Sequence, residues 1–223
     1  MPPESLRSLV RGMQSYQLQH EVATHNLANQ NTPAVQSYRA VVQSMDGRPE
    51  VTTILNQQQG PIEATSRPLD VALNGPGYLV VETVEGERLI RGGSLEVSST
   101  GLLVGPTGHP VLGEDGPILV GDESVEVRGR SVLVGGEITD ELRTVVSPDG
   151  VTPLGAGLST PNGMLAEAEP EVITGAVEMP NHDSLDALME LMESQRMFQG
   201  MSSALMGVDQ TIETMVNRVG SLR

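Results

Sequence analysis

The chain has 223 residues, a formal net charge of −16, one Phe, three Tyr, no Trp and no Cys. So acidic a balance disfavours nucleic acid or an anionic membrane surface as a general partner. Without thiols there is no disulfide framework, thiolate metal site or cysteine nucleophile, and so few aromatics leave little to line a cofactor or nucleobase site.

No window approaches the roughly 20 apolar residues of a membrane span, and Met1 to Leu9 lacks the basic start and apolar run of a cleaved signal peptide. Charge is unevenly placed. Residues 1–45 carry three Arg and two acidic groups, residues 46–182 seven Arg and 21 acidic groups, and residues 183–223 three Arg and six acidic groups. Near-neutral ends suit burial against other helices, and an acidic middle suits water. All 13 cations are Arg, through genome composition or through the better fit of Arg to bidentate pairs.

Residues 1–30 predict a helix. Leu6, Leu9, Met13, Tyr16 and Ala23, with Val10, Leu18, Val22 and Leu27 alongside, form an apolar stripe at helical spacing, bordered by Gln14, Gln17, Gln19 and His20. At Ala28-Asn29-Gln30-Asn31-Thr32-Pro33 the helix stops: Asn tolerates left-handed backbone, and Pro33 steers Thr32 away from the helical region. Residues 34–67 read as a connector with one possible strand at Val51–Leu55.

From 68 to 147 short strands alternate with glycine turns, the pattern of one compact antiparallel β domain. Leu69–Leu73, Tyr78–Val84 and Glu87–Arg91 lead it. Further strands are expected at Ser124–Arg128, Ser131–Val134 and Glu141–Val146. Residues 148–182 read as a loop-rich return with a short strand at Glu171–Thr174.

The last element, 183–223, is a long helix with Asn181 or Asp183 as N-cap. Leu191, Phe198, Leu205, Ile212 and Val219 recur every seven residues, and Met201, Val208, Met215 and Leu222 recur beside them. Interleaved steps of three and four make a continuous apolar seam. Leu185 to Leu222 is a rod of roughly 57 Å, and such a seam needs a partner. Gly200 and Gly207, one heptad apart, are the expected points of closest helix approach. The fold class is therefore α+β: terminal helices pairing as a coiled coil, plus a central antiparallel, mostly-β domain.

Catalytic and metal-binding constellations fare poorly. His20 and His25 are five apart, so they do not converge as a zinc pair does at i,i+4. His182-Asp183-Ser184 has the residue types of a hydrolytic triad, but as chain neighbours, where a triad needs spatial convergence; a polar helix cap accounts for them. Glu190 and Glu193 share a helix face without the accompanying Glu-x-x-His of a di-metal bundle. No enzyme, cofactor or metal is expected.

Val22-Ala-Thr-His-Asn-Leu-Ala-Asn-Gln-Asn-Thr-Pro33, followed by Tyr38-Arg39, resembles the N-terminal signature of the bacterial flagellar rod and hook protein family. Asn26, Leu27, Ala28, Asn29, Asn31, Thr32 and Pro33 match, while Ala34-Val35-Gln36-Ser37 intervenes before the aromatic–basic pair. Pro68-Leu-Asp-Val-Ala-Leu-Asn-Gly75, Arg91-Gly-Gly-Ser-Leu95 and Gly108-His-Pro-Val-Leu-Gly113 are similar to further family segments, with Gly92 in place of a common Asp. Gly175, Glu178 and Asn181, then Gln195 and Arg196 before Phe198, continue the likeness in the same order.

The single β domain and short length resemble a rod subunit, proximal or distal, rather than the hook protein; length and the divergent turn favour the proximal type. The resemblance implies a structural subunit of the basal-body rod in the periplasm, exported by the flagellar export apparatus without a cleaved signal. Its terminal helices would polymerise with copies of itself and other rod and hook proteins, transmitting torque toward the hook. The residues alone leave open another class, a soluble monomeric β-domain binding module whose helices close as a hairpin.

Overall fold

The computed structural model describes residues 4–45 and 48–220. They form two units, one of 4–28, 38–45, 48–54 and 183–220, the other of Asn29–Ser37 and Leu55–His182.

The first unit is helical. α1 (Glu4–Ala28) is followed by a ribbon of two strands, β1 (Tyr38–Met45) and β2 (Arg48–Leu55), and the chain ends in α2 (Ser184–Gly220). Asp183 caps α2: its Oδ1 accepts from Leu185 N at 2.7 Å, which satisfies one of the donors left over at a helix start, and its carbonyl accepts the first helical bond, from Ala187 N at 3.0 Å. Asn181 is not the cap and serves elsewhere, as described below.

The terminal helices pack against each other and run antiparallel. Ser194 Oγ lies 3.4 Å from His20 Nδ1, and Met201 lies over Gly12, so advance along α2 is retreat along α1. At that register Glu4 stands abreast of about residue 210, leaving α2 to continue about ten residues, or ~15 Å, past it.

The ribbon replaces most of the expected connector, and β1 packs on α1. Its start is fixed by Asn26. Asn26 Oδ1 accepts from Tyr38 N and Nδ2 donates to Tyr38 O, both at 2.9 Å. Beside this pair the His25 ring stacks on Tyr38, centroids 4.1 Å apart. Burial pushes the Tyr38 phenol pKa up.

The second unit is made of strands. β3 (Ile62–Ala64), β4 (Asp70–Asn74), β5 (Tyr78–Thr83), β6 (Gly86–Ile90), β7 (Gly92–Ser94), β8 (Glu96–Val97) and β9 (Leu103–Val104) come first. β10 (Val125–Arg128), β11 (Ser131–Val134), β12 (Glu137–Glu141) and β13 (Thr144–Val146) follow. Then come β14 (Val151–Gly155), β15 (Leu158–Pro161), β16 (Ala166–Glu167), β17 (Glu171–Thr174) and β18 (Ala176–Glu178).

A six-stranded sheet in the order β14-β15-β6-β5-β13-β16 is accompanied by β17-β4-β7, β10-β11-β12 and the pairs β18-β3 and β8-β9. Every paired register is antiparallel. β5 explains why an unbroken apolar run sits at the centre: successive strand residues face opposite sides. Leu79 and Val81 enter one buried cluster with Leu73, Leu95 and Leu103, while Tyr78 and Val80 enter a second with Leu89, Leu112 and Val145.

The return segment expected to be loop carries the hairpin β14–β15. Its turn, Gly155-Ala156-Gly157, is left-handed at all three residues, with φ of 94°, 51° and 78°. Pro153 and Pro161 obscure these strands in the sequence; Pro153 is tolerated because β14 is the edge of its sheet.

A buried ion pair ties the unit together. Arg91 Nη2 lies 2.7 Å from Glu178 Oε2, with side-chain exposures of 6% and 3%. The rest of the guanidinium donates to the carbonyls of Leu73, Gly75 and Gly77, and Glu178 Oε1 accepts from Gly60 N. Charges taken this far from water persist where their remaining hydrogen-bonding positions are filled. The guanidinium also lies over the Tyr78 ring, 5.7 Å from its centroid. Burial pushes the Tyr78 phenol up, with Arg91 and a hydrogen bond to Gln36 partly opposing it.

Asn181 does comparable work at the end of the return segment. Its Oδ1 accepts from Ser37 N and Oγ, and its Nδ2 donates to the carbonyls of Asn56 and Gln58.

Candidate assembly surface

The proposed seam divides into an inner and an outer part. Positions on a helix advance by about 100° per residue; on α2 the residues facing α1 are Ala187 and Ser194, both buried, with Leu191, Met201 and Leu205 half-buried beside them. Phe198 and Val208 lie at the margin of this face, each 37% exposed. From α1, Val22 and Ala23 are buried and Leu9, Met13, Tyr16 and Leu27 half-buried. The side chains of Leu6, Ile212, Met215 and Val219, and all of Leu222, lie outside the described residues.

The interface core is built from small side chains, which let two helices approach closely. The close contact is at Gly12, where a Cβ would stand 2.7 Å from Met201 Cε. Against α1, then, Gly200 and Gly207 are not the points of close approach. A Cβ at either would meet nothing within 4 Å, because both lie on the side of α2 turned away from α1.

That outward side carries apolar residues of its own. Leu185, Leu188, Met189, Met192 and Met206 fall within a sector of about 100° opposite α1, with exposures from 42% for Leu188 to 71% for Met206. Heptad counting found the inner row; the outer row, interrupted by Arg196, Gln199 and Ser203, has a weaker period, although its methionines stood in plain view.

The family-motif residues have separate tasks. Asn26 is buried and holds Tyr38; Leu27, Asn29 and Pro33 are half-buried; Ala28, Asn31 and Thr32 are exposed. Thr32 N donates to Asn29 O at 3.0 Å, closing the turn that stops α1. Ala34, at the start of the divergent stretch, adopts φ 62° and is buried, its N–H donating to Glu178 O. Gln195 and Arg196 are exposed on α2.

Among the described residues no three His, Asp or Glu side chains are placed to hold a metal ion, and no helix is long and apolar enough to cross a membrane. What the fold defines is a class of protein: a self-contained β unit carried in one chain with a pair of terminal helices that leave an apolar face uncovered.

No protein-family profile matches the chain. It is 31% identical to the flagellar basal-body rod protein FlgF of Escherichia coli, over 86% of this chain and 88% of that one. It is 30% identical to FlgF of Salmonella typhimurium with the same coverage, and 27% identical to the flagellar basal-body rod protein FlgG of Bacillus subtilis, over 96% and 98%. The chain belongs to the flagellar basal-body rod protein family.

Proposed function

We infer that the protein is a structural subunit of the flagellar basal-body rod, polymerising through its terminal helices. Its partners are copies of itself and other rod and hook proteins, and its place is the periplasm-spanning rod, reached through the flagellar export apparatus without a cleaved signal. In that role the helices pair as coiled coils between subunits and carry torque toward the hook.

The observation that carries the reading is the outward face of α2. Leu185, Leu188, Met189 and Met192 stand in water opposite the side that α1 already covers; burying one large aliphatic side chain is worth about 1.5–3 kcal/mol, so several together supply a strong drive to associate. The charge distribution agrees, with 21 of the 29 acidic residues confined to 46–182.

The test is recovery of rod and hook proteins from motile cells on the tagged full chain, beside a Leu188→Glu/Met192→Glu double variant and a truncation lacking 183–223. Wild type is expected to recover them and both variants to lose them, with the double variant retaining its helical circular dichroism. Wild type without such partners, or a double variant that recovers them equally well, sinks the proposal.

A further inference from the structure

We propose that the outward methionines of α2 form an oxidation-sensitive site: reaction of Met189, Met192 and Met206 with hydrogen peroxide blocks self-association of the unassembled chain. The inference rests on the assembly reading above and adds a chemical control to it.

Three observations point there. Met189, Met192 and Met206 are 60%, 53% and 71% exposed, so these residues stand open to a small oxidant. All three lie on the face of α2 away from α1, where association would bury them. The chain has eleven Met and no Cys, so no thiol competes for the oxidant and methionine is its principal sulfur target. In each step the thioether sulfur gives two electrons to peroxide and takes up one oxygen atom, forming a sulfoxide and releasing one water. A flexible apolar side chain becomes a polar, chiral one. Burying that group without a hydrogen-bond partner opposes association.

Met201 is the internal control. It lies half-buried against Gly12 on the inner face, so its oxidation is expected to lag.

The experiment treats the purified full chain with graded hydrogen peroxide. Oxidation at each Met is followed by peptide mass spectrometry, self-association by sedimentation, and helicity by circular dichroism. Met189, Met192 and Met206 should oxidise several-fold faster than Met201. Self-association should then fall with helicity unchanged, recover after methionine sulfoxide reductase treatment, and resist peroxide in a Met189→Leu/Met192→Leu/Met206→Leu variant. Equal rates at all four positions overturn the site. A fully oxidised chain that associates like the untreated one, or a triple variant as sensitive as wild type, overturns the effect. An untreated chain that forms no assemblies counts against the assembly reading itself, while the order of oxidation still tests the site.

Discussion

The two units bury their apolar residues in different ways. In the β unit, Leu73, Leu79, Leu89, Leu95, Leu103 and Leu142 have no exposed surface at all, and an ion pair inside the unit has its hydrogen-bonding positions filled by backbone. In the helical unit the buried apolar residues among those described are Val22, Ala23 and Ala187, and the large side chains are either half-buried, as Leu191, Met201 and Leu205 are, or exposed on the outward face of α2. One unit has completed its core from its own sequence. The other has completed only the small-residue centre of a helix pair, which is the expected condition of a segment whose remaining burial comes from elsewhere.

Breaking the completed unit should have the largest effect. Arg91→Ala leaves Glu178 buried without its cation and is expected to destabilise the β unit by about 3–5 kcal/mol. Peptide-resolved hydrogen exchange should show lost protection in β4, β5 and β18 and little change in α1 and α2; equal loss in the helices would erase the contrast between the units. A smaller effect is expected in the helical unit, where Asn26→Ala removes two hydrogen bonds to Tyr38, at about 1 kcal/mol each. Its signature is faster exchange at the start of β1, with the β unit unaffected.

Alkali sharpens the comparison further, because the chain has no Lys and no Cys. Above about pH 9, the ordinary tyrosine range, the groups to follow are Tyr38 and Tyr78. Tyr38 in the helical unit and Tyr78 in the β unit hold their protons more tightly when folded. Their contribution to stability is therefore complete below the unfolded pKa of about 10 and is lost as pH rises through the folded values. Denaturant midpoints should decline across that window, and Tyr78→Phe should flatten the decline in the β unit alone. The smallest effect is expected at Ala34. Relief of its left-handed backbone by Ala34→Gly, about 1 kcal/mol, is offset by a lost buried methyl and a more flexible unfolded chain, about 0.8 and 0.4–1 kcal/mol. The net change should be a loss of about 0.2–0.8 kcal/mol; a gain would show that the turn is strained beyond its dihedral.

Regular periods were the legible part. Helical spacing marked α1 and α2 to within a few residues of their ends, and alternation marked β5, β6, β10 and β11. β14 and β15 escaped notice because their prolines and glycines signal loop until the edge position is known. β1 was hidden by a polar–apolar mixture whose placement depends on contact with α1. The motif around Asn26 could be matched residue by residue, yet its physical task, gripping both backbone groups of Tyr38, comes from a contact twelve residues away. Arg91 and Glu178 are 87 residues apart, and no local pattern joins them. That Gly200 and Gly207 turn away from α1 was not legible, because heptad spacing says which residues share a face but not which of two faces a given helix covers.

The contact of Met201 with Gly12 has a mechanical consequence. A glycine offers no side chain to interlock, and methionine is unbranched with three rotatable bonds. At this crossing the helices are therefore joined by a bearing surface rather than a ratchet: small axial slips can be absorbed by rotation of one thioether chain, without lifting the backbones apart. A branched residue at 201 would convert that compliant joint into a rigid one.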